Sequence, residues 1–473
     1  MRIARFVLPI LLSTGLAQAQ DDVAARARAA LEARVAAGTT VGIVAGIVHP
    51  DGRLEVVSAG RSGNGARPQL DALTLFEIGS ITKTFTATLL AQRVARGELR
   101  LETTVREAAP ALRQWKRPGV GDVTLGQLAT HTSGLPRLPL DPWLFVGRAF
   151  TRDGPYGNYS SDRFLDFAAG SDPPEARTHA FDYSNYGMAL LGEVLARREN
   201  TTFDALVRRD ILQPLGMVRS GTSTAAGDAP LLARGHDGAM NRTGYWLIPG
   251  MAGAGALRSN VEEMAKYLVA QRDGVLPGAR LTQERREKAN GRSDIGLAWI
   301  IRPAGESRIL WHNGGTGGFR TFAGWHEGTK TAVVVLSNSS IGIDEIGIHL
   351  LDPSVPLAAP EEPSPWRLAI MALVVTALPV MAWRAKLASR RDALWKALEI
   401  AATGLLLHLV APWGFAGAGA WYAMVALGVA ALALLAWRAR PLPWPTPPRP
   451  TEAGRAIGRA LTVVVFLACA VHL

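Results

Sequence analysis

The 473-residue chain is long enough for about two to three domains, and 48% of its residues are hydrophobic. The hydrophobic excess lies at the two ends, which predicts that part of the chain is not water-soluble. The formal net charge is +11, but acidic and basic residues nearly balance over residues 20–350, which argues against a nucleic-acid-binding protein. The single cysteine, Cys469, excludes an intramolecular disulfide and disfavours a cysteine nucleophile or a thiolate metal cluster.

The first twenty residues have the layout of a secretory signal peptide. Two arginines precede an apolar run from Phe6 to about Leu16, and small residues around Ala19 offer a cleavage site. A retained membrane anchor is the alternative, but the run is shorter than the roughly 20 residues that a helix needs to cross a bilayer. We therefore expect residues 1–19 to be removed on export.

A β-hairpin is predicted near the start of the mature chain. Residues 41–60, VGIVAGIVHPDGRLEVVSAG, contain two β-rich runs on either side of Asp51 and Gly52. An Asp-Gly pair between such runs is typical of a tight hairpin turn.

A serine and a lysine lie one helical turn apart in FEIGSITKTF, residues 76–85. Ser80 and Lys83 stand at the start of an apolar, helix-patterned run, and residues three apart on a helix share a face. A desolvated lysine with a lowered pKa can accept the serine proton and create a nucleophile, close to the free N–H groups of the helix start. This pair alone leaves open the alternative of an N-capping serine beside an exposed lysine.

The rest of the globular part is predicted to be helical first and then β-rich. Ser259 and Glu262 have the spacing of a capping box, which predicts a helix start. Short strand candidates separated by glycine-containing turns follow at residues 308–311, 319–326 and 331–336. Strands at both ends with helices between them predict one antiparallel sheet flanked by helices, plus an α-helical subdomain.

Two further motifs complete a recognisable set. Tyr-Ser-Asn at residues 183–185 precedes the stretch YGMALLGEVLA, and His-Asn-Gly at residues 312–314 precedes Gly-Thr-Gly-Gly on a predicted edge strand. The motifs S-x-x-K, Y-x-N and K/H-x-G in this order resemble those of the penicillin-recognising serine hydrolases. The phrases TLGQLATHTSGLP and HNGGTGGF, with the residues around Ser80, look like the class C β-lactamase branch over residues 25–348. The resemblance implies an α/β fold of the serine β-lactamase type for residues 20–350.

The resemblance also implies catalytic roles. Ser80 would be the acylated nucleophile, and Lys83 would lower the barrier to removing its proton. Tyr183 would be the partner base or proton relay, because a neighbouring ammonium eases the deprotonation of a phenol. Asn185 would hold Lys83 and bind the substrate amide.

On the substrate-binding side, the implied oxyanion hole consists of the backbone N–H groups of Ser80 and Gly315. Gly314 and Gly315 would let the strand approach the acyl carbonyl without side chains in the way. His312 departs from the class C pattern, which has lysine there, and matches some relatives that act as D,D-peptidases, D-aminopeptidases or esterases. Histidine is mostly neutral above about pH 7, which argues against strong recognition of a β-lactam carboxylate.

Other histidines have simpler interpretations. We expect His131, in ATHTSGLP, to be a structural loop residue. His326 and Glu327 lack the second histidine of a zinc-binding helix, so no metal site is predicted. An acyl-enzyme mechanism also needs no organic cofactor, and none is expected.

The C-terminal region predicts a linker and a membrane domain. Residues 351–365 are rich in proline, and residues 366–473 are expected to form three to four transmembrane helices. The candidate apolar runs lie at about 368–383, 397–413, 414–437 and 460–473. Basic segments at 383–396 and 438–459 favour cytoplasmic loops, which places residues 20–350 outside the membrane. A buried helical bundle is the alternative.

The sequence as a whole predicts an exported serine hydrolase anchored in the cytoplasmic (inner) membrane. It would act through an acyl-enzyme on β-lactams, D-amino-acid peptides or esters, without nucleic acid as a partner. A penicillin-binding sensor that signals long-lived acylation through its transmembrane helices is the alternative. A silent binding module is disfavoured because Ser80, Lys83, Tyr183 and Asn185 are all present.

Overall fold

The computed structural model describes residues 23–110, 114–144, 154–172, 180–238, 240–357, 365–410 and 413–444. The chain divides into two compact units, with the boundary between residues 360 and 361 and the short segment 238–241 grouped with the second unit. The predicted signal peptide, residues 1–19, and the predicted final membrane segment, residues 460–473, lie outside the described residues.

Within the described residues, an antiparallel sheet of eight strands forms the centre of the first unit, in the order β2-β1-β10-β9-β8-β7-β6-β5. A separate ladder pairs β3 with β4. The strands are β1 Gly42–Val48, β2 Leu54–Gly60, β3 Phe76–Glu77, β4 Arg258–Ser259, β5 Glu287–Lys288, β6 Asp294–Ile295, β7 Ile300–Ala304, β8 Ser307–Gly315, β9 Arg320–His326 and β10 Ala332–Ser337.

The predicted hairpin at 41–60 and the predicted sheet built from both ends of the globular part are confirmed. β1 pairs with β2 on one side and with β10 on the other, so Ile43 lies opposite both Ala59 and Ser337. The turn between β1 and β2 contains Gly52, whose φ of +89° lies in the left-handed region that glycine tolerates.

Helices cover both faces of this sheet, because alternate residues of its central strands point to opposite sides. Ile43 and Ile47 of β1 pack in a small core with the N-terminal and C-terminal helices of the unit, whereas Val44 and Val48 pack in a larger core with the helices between. The helices are α1 (residues 23–36), α2 Thr82–Ala95, α3 Val105–Ala108, α4 Leu125–Ala129, α5 Ser161–Gly170, α6 Asn185–Arg198, α7 Phe203–Val207, α8 Ala252–Gly255, α9 Val261–Asp273, α10 Ala279–Thr282 and α11 Asp344–Leu351.

Two local expectations are wrong. Helix α9 is capped by Asn260, whose side chain accepts a hydrogen bond from the Glu263 N–H, because Ser259 is used in β4. β8 is an inner strand rather than an edge strand, since it pairs with both β7 and β9. Its last residues do run past the end of β7, because the pairing with β7 stops at Trp311 while the pairing with β9 continues to Gly315.

The second unit contains three long helices among the described residues: α12 Pro365–Arg384, α13 Arg390–Val410 and α14 Trp413–Ala439. They pack on one another through buried residues such as Leu378, Ile400 and Leu435. One stretch in the described part of the chain, Tyr422–Ala439, is long and apolar enough to cross a membrane, and Ala372–Arg384 is a shorter apolar helix. The sequence predicts three to four membrane spans, whereas the described helices contain one stretch that is long and apolar enough to be a candidate.

Candidate active site

Ser80 stands at the junction of a tight turn and a helix. Gly79–Ile81 form a single 3₁₀ turn that leads into α2, so Lys83 follows one turn later. Lys83 Nζ donates hydrogen bonds to Ser80 Oγ over 2.9 Å and to the carbonyl oxygen of Ala254 over 2.6 Å. The predicted reach of the lysine to the serine is therefore confirmed, and the alternative of an exposed lysine is wrong.

The surroundings of Lys83 disfavour its charged form. The side chain has no exposed surface, and desolvation holds its pKa well below the ordinary lysine value, with a smaller contribution from the positive charge of Arg137. A lysine with a lowered pKa is neutral at lower pH and can then accept a proton from a neighbouring hydroxyl.

The carbonyl that anchors Lys83 comes from α8, a short element that sequence reasoning missed. Helix α8 lies close to two larger helices. Gly253 packs against Gly192 of α6, and the Gly253 carbonyl oxygen accepts a hydrogen bond from the Thr86 hydroxyl of α2. A side chain at Gly253 would come within 3.0 Å of the Gly192 Cα. The run of small residues around Gly253 was the available signal, because such runs permit close helix packing.

Tyr183 is held from both sides by His131. The carbonyl oxygen of His131 accepts the Asp182 N–H over 2.8 Å, and its Nδ1 accepts the Ser184 N–H over 3.2 Å. The two aromatic rings lie 4.6 Å apart between centroids. His131 adopts a positive φ of 59°, which turns the chain so that both contacts can form. His131 is therefore a structural loop residue, as expected, and it fixes the position of the segment 182–184 that carries Tyr183.

The hydrogen bond to Nδ1 also fixes the proton of His131. Burial keeps the pKa of His131 well below its ordinary value, so the ring is neutral. Because Nδ1 accepts, the proton is on Nε2, which is buried and has no hydrogen-bond partner among the described residues.

The rest of the 131–137 loop positions the start of α6. Ser184 Oγ donates to the Pro136 carbonyl over 2.8 Å, and the Asn185 N–H donates to the Arg137 carbonyl over 3.0 Å. Asn185 lines the cleft beside Ser80. Its expected contact with Lys83 is not among the hydrogen bonds of the described residues, since Ala254 takes that place.

Burial, and not a neighbouring ammonium, dominates the acidity of Tyr183. Lys83 Nζ lies 5.0 Å from the centre of the tyrosine ring. Desolvation nevertheless raises the pKa of Tyr183 to about 12, although a hydrogen bond with Ser80 and the charge of Arg137 act in the opposite direction. Tyr183 therefore carries its proton near neutral pH, and its role as partner base or proton relay stays a prediction.

His312 is buried and neutral. Its Nδ1–H donates to the carbonyl oxygen of Asn313 over 2.5 Å, which leaves Nε2 as an acceptor. Desolvation lowers the pKa of His312 to about 3, and the ammonium form of Lys83 acts in the same direction. Protonation near the ordinary pKa of histidine, which carboxylate binding by an imidazolium would need, is therefore not expected.

The end of β8 lies directly on the turn that carries Ser80. A side chain at Gly314 would come within 2.0 Å of the Ile78 carbonyl oxygen, and one at Gly79 would come within 2.6 Å of the Gly315 nitrogen. Thr321 Oγ1 donates to the same Ile78 carbonyl over 2.9 Å. Glycine is needed in this segment, as expected, because a side chain would clash with the neighbouring backbone. Without side chains, the backbones of residues 79 and 315 can come together.

An apolar wall borders the cleft beside Ser80, and sequence reasoning did not find it. It contains Leu138, Tyr156, Trp246, Ile248 and Met251. The Tyr156 and Trp246 rings meet edge to face at 5.3 Å, and the backbone N–H of Trp246 donates to a buried carboxylate oxygen of Glu77 over 2.6 Å. These residues come from loops whose sequences have no readable pattern. Within the described ranges, no group of three or more metal-ligating side chains is present.

A family model described as Beta-lactamase matches residues 27–347. Penicillin-binding protein 4 of Amycolatopsis lactamdurans is 32% identical over 178 residues, which are 37% of this chain and 43% of that protein. D-alanyl-D-alanine-carboxypeptidase/endopeptidase AmpH of Escherichia coli K12 is 28% identical over 292 residues, 55% of this chain and 70% of that protein. The chain thus spans less than half of the first relative and somewhat over two thirds of the second.

A solved structure with the same fold is the β-lactamase/D-alanine carboxypeptidase from Pseudomonas syringae. The TM-score is 0.58 at 19% sequence identity, over 68% of this chain and 95% of that one. At this identity the likeness concerns the fold.

Proposed function

Because the chain belongs to the β-lactamase family and is a serine hydrolase of the β-lactamase/D-alanine carboxypeptidase type, we propose that it forms an acyl-enzyme at Ser80. The substrates would be β-lactams, D-amino-acid peptides or esters. The observation that carries this proposal is the 2.9 Å contact between Ser80 Oγ and the fully buried amine of Lys83.

The first step would transfer the acyl group to the enzyme. Ser80 Oγ attacks the substrate carbonyl carbon while its proton passes to the neutral amine of Lys83. The charge that develops on the carbonyl oxygen is met by the backbone N–H groups of Ser80 and Gly315. When the carbon–nitrogen or carbon–oxygen bond breaks, the leaving group takes a proton from Tyr183, which holds its proton near neutral pH, and Tyr183 recovers a proton from the ammonium of Lys83.

The second step would release the acyl group as an acid. Water attacks the ester carbonyl, the bond to Ser80 Oγ breaks, and Ser80 regains a proton. Asn185 lines the cleft and would bind the substrate amide, while the neutral His312 offers an acceptor rather than a cation.

Labelling with a fluorescent penicillin or a fluorophosphonate tests the nucleophile. We expect one adduct per chain by intact-protein mass, mapped to Ser80 by peptide analysis. Ser80→Ala should lose the label and keep the melting temperature of the wild type. A label that persists in Ser80→Ala, with the adduct on another residue, would refute the assignment.

The lifetime of the adduct separates a hydrolase from the sensor alternative. A panel of a chromogenic β-lactam, a D-alanyl peptide and a short-chain ester should reveal turnover within minutes for at least one substrate class. A stable adduct with every class would favour a sensor or an inhibited peptidase instead.

We further propose that the enzyme is exported and held at the inner membrane, with its catalytic unit on the periplasmic or extracellular side. The layout of residues 1–19 and the apolar stretch Tyr422–Ala439 support this proposal. In α14, large apolar residues such as Val425, Val429 and Trp437 are exposed in the second unit. Such exposure is costly in water and favourable in lipid.

A further inference from the structure

Arg137 stands beside the candidate catalytic residues, and its guanidinium has no ion-pair partner in the part of the chain that the structure describes. Arg137 is exposed, and its guanidinium carbon lies 5.1 Å from the centre of the Tyr183 ring. Within the described ranges, its guanidinium makes no salt bridge and donates no hydrogen bond. The next residue, Leu138, lines the cleft that contains Ser80. A guanidinium in this position is available to a ligand.

The main chain of Arg137 is fixed, so its side chain is not on a loosely placed loop. The Arg137 carbonyl accepts the N–H groups of Asn185 over 3.0 Å and Tyr186 over 3.3 Å. These contacts tie Arg137 to the start of α6. The planar guanidinium can rest on the tyrosine face and still present its N–H groups to an anion. Arg137 therefore belongs to the Asn185 side of the cleft rather than to the β8 side.

The electrostatic field of the site points to an anionic ligand. The positive charge of Arg137 contributes to the lowered pKa of both Lys83 and His131, and it opposes the rise in the pKa of Tyr183. No carboxylate is among the groups that shift these pKa values or that of His312. With Lys83, His131 and His312 neutral, the positive charge beside the Tyr183 ring is that of Arg137, and a positive charge attracts substrates of the opposite sign.

We propose that Arg137 binds a carboxylate carried by the acyl part of the substrate, so that the enzyme prefers acyl groups with such a carboxylate. The proposal rests on the proposed function, because the acyl side is defined there by the binding of the substrate amide to Asn185. A carboxylate and a guanidinium can form two parallel hydrogen bonds, which gives orientation as well as affinity.

Two penicillins that differ in one carboxylate test this proposal. Carbenicillin is benzylpenicillin with an additional carboxylate on the acyl side chain, and both share the ring carboxylate. The rate constant for acylation of Ser80 is measured for each compound on the full-length protein in detergent, by competition with a fluorescent penicillin. If neither penicillin reacts, the same comparison uses the 4-nitrophenyl monoester of succinic acid against 4-nitrophenyl butyrate.

Arg137→Gln should reduce the rate ratio of carbenicillin to benzylpenicillin by about 2- to 5-fold, the range for losing one ion pair at an exposed site. Arg137→Lys should keep part of the ratio, because it keeps the charge without the planar fork. The effect should shrink in about 0.5 M salt, where charges are screened within a few ångströms. Arg292→Gln removes the same net charge in the exposed turn between β5 and β6 and should leave the ratio unchanged.

Three results would overturn the proposal. The first is an unchanged ratio in Arg137→Gln, even if both rates fall together, since that indicates a general effect on catalysis. The second is an equal change in Arg292→Gln. The third is a change confined to discrimination between a D-alanyl-D-alanine peptide and its C-terminal amide, which would place the carboxylate on the leaving group. Failure of every compound to acylate Ser80 would instead overturn the proposed function, and this inference with it.

Discussion

At the scale of single residues, Lys83 combines full burial with an ionisable amine. Burial and the charge of Arg137 both favour the neutral form, while the acceptors Ser80 Oγ and the Ala254 carbonyl keep the amine in place. The amine is thereby oriented toward the hydroxyl whose proton it would take.

We expect acylation by a fluorescent penicillin to slow as the pH falls through the lowered pKa of Lys83. The reason is that only the neutral amine accepts the Ser80 proton, and acid converts it to the ammonium. Lys83→Gln should reduce the acylation rate by about 10²- to 10⁴-fold, the usual contribution of a general base. Stopped-flow labelling over a pH series measures both effects.

Lys83→Arg is the informative control, because an arginine carries a positive charge that cannot be removed near neutral pH. It should be as slow as Lys83→Gln. Acylation at the wild-type rate in Lys83→Arg would mean that the site needs the charge and not a proton acceptor.

His312 should stay neutral from about pH 5 to about pH 9, since its pKa is lowered to about 3 and only pH values near that number would charge it. Anionic and neutral substrates should then share one pH profile of kcat/KM in this range, and His312→Gln should keep the shape of that profile. NMR of ¹³C-labelled histidine measures the charge directly. A midpoint near 6.5 assigned to His312, the ordinary value for histidine, would contradict this prediction.

At the scale of secondary-structure elements, the decisive contact is between the end of β8 and the turn before α2. Their backbones meet because Gly79 and Gly314 carry no side chains, and Thr321 on β9 bonds to the same turn. The proposed nucleophile Ser80 and the Gly315 N–H of the proposed oxyanion hole therefore come from segments more than 200 residues apart in the sequence.

Gly314→Ala should disturb this contact. Its Cβ would lie 2.0 Å from the Ile78 carbonyl oxygen, so backbone must shift, at a cost of about 1–3 kcal/mol of unfolding free energy. Acylation should be nearly lost, because the displaced turn carries Ser80. Denaturant titration and penicillin labelling measure the two effects.

Gly342→Ala is the matched control, because a Cβ at Gly342 has no atom within 4 Å and its φ is not positive. It should change the unfolding free energy by less than about 0.5 kcal/mol. Equal behaviour of the two variants would show that the contact between β8 and the turn is not needed.

Contacts between residues that are close in the sequence could be predicted, whereas contacts between distant residues could not. The pair Ser80 and Lys83 was predictable because helix geometry alone sets their separation. The burial that neutralises His312 was not, since it depends on what packs over the strand. The anchoring of Lys83 by Ala254, and the clamp of His131 on the tyrosine segment, join residues that are distant in sequence and have no shared local pattern. The predicted helix cap at Ser259 is wrong for the same reason, because Ser259 pairs with Phe76 in the ladder of β3 and β4.

At the scale of the whole molecule, the chain combines a catalytic unit with a C-terminal unit of long helices, and topology reporters test their proposed arrangement. A reporter active only in the cytoplasm should be silent when fused after Ala359, in the proline-rich linker, and active when fused near Ala388. The physical reason is the cluster of basic residues between 383 and 396, which favours the cytoplasmic side. The reverse pattern would contradict the export proposal.

The pairing of β1 with β10 has a consequence for how the protein is made. Ile43 and Ser337 are partners in one ladder, so the centre of the sheet cannot close until nearly the whole catalytic unit has left the ribosome. Contacts between residues so far apart in sequence are slow to form, and until β10 arrives β1 has an open edge to which another chain could add. If the chain is exported as proposed, this order means that the centre of the sheet closes only after β10 has crossed the membrane, because β10 follows every candidate site residue in the sequence.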